Sequence, residues 1–195
     1  MTALHHVGYW VPDLAEAVDR AVATLGIGPF LHFPHVHFDA FTLADGTAII
    51  DPTRPGSAVP AGPDSGGGRA YFDHSAAFAA WGPVVLELGE VHTVDDRLAA
   101  AYQLSPERVG HVSWVADDLA AEVERLTAAG CELIHTAASG GIAVAWLDGG
   151  PLFPHPIEVH RAGPAILGMH DRLTALAQDW DGCDPLRPMP GSGPA

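Results

Sequence analysis

The chain has 195 residues, 48% of them apolar, which suits one ordinary domain or two small halves sharing a core and excludes global disorder. Nine basic residues stand against 24 acidic ones, a formal net charge of −15, so the basic stripe that a nucleic-acid binder needs is missing. All nine basic residues are Arg, and without Lys there is neither Schiff-base chemistry nor a P-loop lysine. Cys131 and Cys183 are too few for a disulfide framework or a Cys-based zinc site. The excess lies in 12 His, and neutral imidazole beside carboxylate suits a divalent transition metal. Met1 to His6 lack the basic and apolar parts of a signal peptide, and no apolar run reaches a membrane-spanning length. The expectation is a cytoplasmic protein with a small-molecule partner, and with no membrane or nucleic-acid partner.

In chain order, Val7 to Val11 has strand composition. Asp13 then stands at a helix N-cap position, Leu14, Val18 and Val22 follow at helical spacing, and Gly26 comes where a left-handed residue would stop the helix. Strands are predicted over Leu31–Phe38, Thr42–Ile50, Tyr71–Ala80 and Val84–Leu88. Residues 51–69, rich in Pro, Gly, Ser and Ala, read as a long loop insertion that is either exposed or a lid. Residues 95–107 link the two halves, with a helical turn over Asp96–Tyr102.

At His111 the opening pattern returns. Of the 15 positions from His6 to Arg20, seven recur without a gap 105 residues later, His6/His111, Val7/Val112 and Asp13/Asp118 among them. The second copy then runs through a strand at Val112–Ala116, a helix led by Asp118 with Leu119, Val123 and Leu126, and a stop at Gly130. Strands at Glu132–His135, Ile142–Leu147 and Pro156–His160 complete it. Each half reads as βαβββ, so the fold class is α+β: residues 1–94 form one module and residues 108–163 the other. From residue 164, Ile166, Met169, Leu173, Leu176 and Trp180 keep helical spacing. This tail helix packs on its own sheet or on a second subunit, as in a homodimer, and the chain from Pro185 on is expected to fray.

The duplication singles out His6 and His111 among the 12 His. Near the end of each half, Glu87 and Glu158 sit inside runs otherwise built for burial, where a carboxylate is costly unless paired or metal-bound. Two His and two Glu suit Zn²⁺, Ni²⁺, Co²⁺, Mn²⁺ or Fe²⁺, and four protein ligands leave two octahedral positions for a chelating substrate.

The set Leu4-His5-His6-Val7-Gly8 with Val11-Pro12-Asp13-Leu14, Leu86-Glu87-Leu88-Gly89-Glu90, Gly110-His111-Val112 with Asp118-Leu119, and Ile157-Glu158-Val159 resembles the vicinal oxygen chelate superfamily. That superfamily includes glyoxalase I, methylmalonyl-CoA epimerase, extradiol dioxygenases and bleomycin resistance proteins. The resemblance covers roughly residues 4 to 162 and is closest to glyoxalase-like and epimerase-like members. It implies two βαβββ modules curled into a cleft, with a divalent metal on His6, Glu87, His111 and Glu158. It further implies an isomerase, epimerase or lyase that chelates vicinal oxygens and stabilises an enolate or enediolate, with Glu87 or Glu158 as the catalytic base. The alternatives are an Fe(II) extradiol-type dioxygenase and a non-catalytic drug-binding protein. The long loop, the tail and the extra His depart from the pattern. Glu90, His92, His35, His37, His74 and His160 are further shuttle candidates, with His37 and His74 also candidates for substrate contacts. Trp10, Phe30, Phe33, Phe38, Phe41 and Trp114 are candidates for the cleft wall.

Overall fold

Two aspartates start the corresponding helices of the two halves. In this computed structural model, which describes residues 3–50, 69–106 and 108–189, Asp13 accepts from the Glu16 N–H at 2.8 Å and Asp118 from the Ala121 N–H at 3.1 Å. They lead α1 (Leu14–Leu25) and α3 (Leu119–Ala128). Gly26 ends α1 with φ 65°, while in the second copy Ala129 is the cap and Gly130 takes the positive φ one residue later.

The first half contains β1 (Leu4–Trp10), β2 (Phe30–Phe33), β3 (Ala40–Leu43), β4 (Ala48–Ile50), β5 (Arg69–Trp81) and β6 (Val84–Val94). After α2 (Asp96–Tyr102), the second half contains β7 (His111–Ala116), β8 (Leu133–Ser139), β9 (Ile142–Leu147) and β10 (Ile157–Arg161). In the first half β1 pairs parallel with β6, and the antiparallel pairs β6–β5 and β5–β2 follow. The second repeats this as β7–β10, β10–β9 and β9–β8. The halves join through antiparallel β1–β7, where Val7 faces Val112, its own repeat equivalent. The local twofold relating the modules therefore passes through that pair.

The strand predicted over Thr42–Ile50 is instead a hairpin, because Gly46 at φ 86° and Asp45, which accepts from the Thr47 N–H, turn the chain inside it. This β3–β4 hairpin pairs with β8 on one side and β5 on the other, closing the mixed sheet into a barrel-like ring. The strand predicted over Leu31–Phe38 stops at Phe33, ahead of Pro34, which has no N–H to donate. The loop predicted over 51–69 lies outside the described residues, save that Arg69 opens β5.

After residue 163, α4 (Pro164–Gln178) buries Ile166 and Leu173, and Leu173 packs with Leu31 and Val85 of the first half's sheet. The expectation of fraying from Pro185 needs correction. β11 (Leu186–Pro188) pairs parallel with the free edge of β2. No helix among the described residues is long and apolar enough to cross a membrane.

Close packing at the junction makes one glycine critical. A Cβ on Gly8 would lie 1.9 Å from His111 Cε1, so alanine there must expel the imidazole. Gly8→Ala is expected to cost about 1–3 kcal/mol in urea unfolding. Gly168→Ala, in open space on α4, should raise stability by about 0.5–1 kcal/mol; equal effects would show that the Gly8 contact carries no load.

Candidate metal centre

The strand register assembles the site in two rows. Across β6, β1 and β7, Gly8 lies between Glu87 and His111; across β1, β7 and β10, Ser113 lies between His6 and Glu158. Gly8 and Ser113 are repeat equivalents, and their small size leaves the inner face to the four larger side chains. All four are buried, with His6 1%, His111 2% and each glutamate 9% exposed.

One ligand atom from each lies within 4.8 Å of every other. His6 Nε2 is 3.1 Å from His111 Nε2, 3.1 Å from Glu87 Oε2 and 2.7 Å from Glu158 Oε2. His111 Nε2 is 3.1 Å from Glu87 Oε2 and 3.6 Å from Glu158 Oε2. Donors bound at roughly 2.1 Å to one ion stand about 3 Å apart when adjacent, so the spacing and the N₂O₂ donor set both fit a divalent metal. Supporting contacts hold the set in place. His5 Nδ1 meets His6 Nδ1 at 2.8 Å, Trp146 Nε1 donates to Glu158 Oε1 at 3.0 Å, and His160 Nε2 lies 3.0 Å from Glu158 Oε2 but out of line for a hydrogen bond.

Charge balance points the same way. Burial opposes protonation of His6, but hydrogen bonds from its imidazole to Glu158 and Glu87 outweigh it and lift the pKa to about 9. Burial opposes ionisation of Glu87, yet the His111 charge and hydrogen bonds pull it down to about 2, and Glu158 is likewise held well below the carboxylate range by His160 and His6. Without metal, the carboxylates thus retain a proton on His6.

A cavity of about 170 Å³ opens onto His6, Glu87 and Glu158. His37 and His74, expected as substrate contacts, both line it. Trp10, Phe33 and Phe38 form part of its wall, whereas Phe30, Phe41 and Trp114 pack in the core around it. No Arg lines it. Of the other shuttle candidates, His160 borders the cavity. Glu90 accepts from the Leu14 N–H at the start of α1, His92 bonds Ser75, and His35 bonds Asp73. The sequence reading missed Tyr102, His135 and Trp146, which also line the cavity. Tyr102 sits in the linker helix, 33 residues from His135, and no local spacing joins them.

Zn²⁺ binding near pH 7.5 must displace the proton on His6, so about one proton per ion should be released from this site, read as the buffer dependence of the calorimetric enthalpy. Release near zero would remove the shared proton. Since the folded-state pKa of His6 lies above its ordinary 6.5, its stabilisation of metal-free protein is full below pH 6.5 and is lost as pH rises through about 9. Melting of chelator-treated protein should fall across that window.

Residues 5–146 match the profile of the Glyoxalase/Bleomycin resistance protein/Dioxygenase superfamily. Among solved structures, a hypothetical protein from Bacillus halodurans is 14% identical, with 83% of this chain and 95% of that chain covered and a TM-score of 0.48. Methylmalonyl-CoA epimerase from Mycobacterium tuberculosis is 16% identical over 85% of this chain and 91% of that one, with a TM-score of 0.45. A variant of 4-hydroxymandelate synthase from Streptomyces coelicolor is 17% identical over 86% of this chain and 43% of that one, with a TM-score of 0.46. No curated protein matches. The family match spans most of the chain, from β1 to within β9 of the second module, and the protein belongs to the Glyoxalase/Bleomycin resistance protein/Dioxygenase superfamily, the vicinal oxygen chelate proteins.

Proposed function

We propose that the chain is a metal-dependent isomerase, epimerase or lyase acting on a small oxygenated compound. The observation that carries this reading is the convergence of His6, Glu87, His111 and Glu158, with His6, Glu87 and Glu158 at the wall of one cavity. His6, Glu87, His111 and Glu158 would hold a divalent ion, which would supply Lewis acidity toward oxygens of a bound ligand and so acidify a neighbouring C–H.

The protein's own groups divide the remaining work. Glu158 is restrained through both oxygens, Oε1 by Trp146 and Oε2 beside His6 and His160. Glu87 meets His6 and His111 through Oε2 alone. Glu87 is therefore the freer carboxylate, and we assign it the proton transfer, with Glu158 holding its place. Among the described residues no Arg lines the wall, so the cavity offers no cationic partner there for the phosphates of a CoA thioester, and a compact substrate suits it better. Fe(II) ring cleavage prefers two His and one carboxylate with three open positions, a set that Glu87 would crowd.

Protein purified without chelator is expected to carry about one divalent ion per chain, lost in the His6→Ala/Glu158→Ala double variant. Metal-free wild type would sink this reading, and iron with oxygen uptake on catechols would replace it with ring cleavage. With candidate 2-oxo and 2-hydroxy compounds in D₂O, wild type should introduce deuterium next to the carbonyl. Glu87→Gln, with its metal content checked, should slow exchange by about 10²–10⁴-fold, and Glu158→Gln by less unless its metal is lost. Equal losses at equal metal content would withdraw the assignment of Glu87.

A further inference from the structure

Away from the metal ligands, the cavity wall holds polar groups that the proton-transfer reading does not use. Tyr102 Oη and His135 Nε2 lie 2.6 Å apart, both side chains are buried (2% exposed), and both line the cavity. They sit within aromatic rings. Tyr102 stacks on Trp10 at 5.8 Å and 18°, and His135 lies on Trp146 at 5.7 Å and 23° and against Phe41 at 4.5 Å. Trp146 also bonds Glu158, so the pair lies one indole beyond the quartet.

The arrangement is costly for a wall that serves only as packing. His135 Nδ1 is enclosed without a partner, and so is Nδ1 of His74, which shares the Phe72 and Trp10 rings with Tyr102. A buried polar atom left unpaired keeps the whole cost of its lost hydration, whereas an apolar pair of similar shape is nearly free. Burial keeps both imidazoles uncharged, with His135 pushed down to about 3 and His74 to about 4, and pushes the Tyr102 hydroxyl well above 10. The groups are therefore neutral donors and acceptors in a buried setting, suited to an uncharged partner and unsuited to a carboxylate or phosphate.

We infer that Tyr102 and His135, flanked by His74, form a polar subsite that receives an uncharged hydroxyl or carbonyl substituent of a single-ring aromatic ligand. The aromatic wall supplies ring contacts and the volume of about 170 Å³ matches one substituted ring. Tyr102 carries the contact on the linker helix α2 and His135 carries it on β8, so the subsite spans both halves. The inference rests on reading this cavity as the substrate site, but it requires neither turnover nor metal.

The test is calorimetric binding of phenol and toluene, two rings of similar size, to the purified full chain with chelator and again with Zn²⁺. Wild type should prefer phenol by about 3- to 10-fold under both conditions, the worth of one net hydrogen bond. Tyr102→Phe should reduce the preference to within about twofold. Tyr102→Phe/His135→Leu, which leaves no unpaired partner behind, should do the same while Zn²⁺ stoichiometry stays unchanged. No phenol binding, no preference in wild type, or a preference that survives in both variants would overturn the subsite. Loss of Zn²⁺ binding in wild type with the phenol preference intact would instead overturn the metal reading alone.

Discussion

The antiparallel pairing of β1 with β7 is the constraint from which the site follows. It places Val7 against Val112 on the local twofold and thereby sets Gly8 opposite His111 and Ser113 opposite His6. The parallel neighbours β6 and β10 then deliver Glu87 and Glu158 beside those same small residues. A one-residue slip of this pairing would set His6 and Glu87 on the opposite face from His111 and Glu158 and disperse the set. Tight filling at Gly8 opposes such a slip, because a different residue opposite His111 would bring a side chain into its ring.

Buried charge is the second organising influence. Two carboxylates inside an apolar barrel are tolerable only with a cation between them. A protonated His6 meets that need in the absence of metal, and a divalent ion would meet it by satisfying all four donors together. Proton and metal would then compete for one position, which would tie occupancy of the site to pH.

Much of this was legible before any coordinates. The repeat alone separated His6 and His111 from ten other His, and Asp13 and Asp118 fixed the helix starts by a local rule of capping chemistry. What stayed hidden depended on partners distant in the chain. Thr42–Ile50 reads as one apolar run, and only the edges offered by β8 and β5 make it a hairpin. The Pro-flanked segment at Leu186 has the composition of a loose end, yet the open edge of β2 recruits it. Tyr102 and His135 meet across 33 residues, a helix and a strand, where neither periodicity nor motif gives a signal.

The β3–β4 hairpin has a consequence for how two copies of this chain can exchange parts. Duplicated half-domains invite swapping, in which one copy's second half docks on another copy's first half. Here the halves meet at two separate seams, β1 with β7 and β3 with β8, on either side of the ring. Exchange would have to unzip both seams, and the short α2 linker would have to extend. The hairpin therefore adds a second seam that any such exchange would have to open.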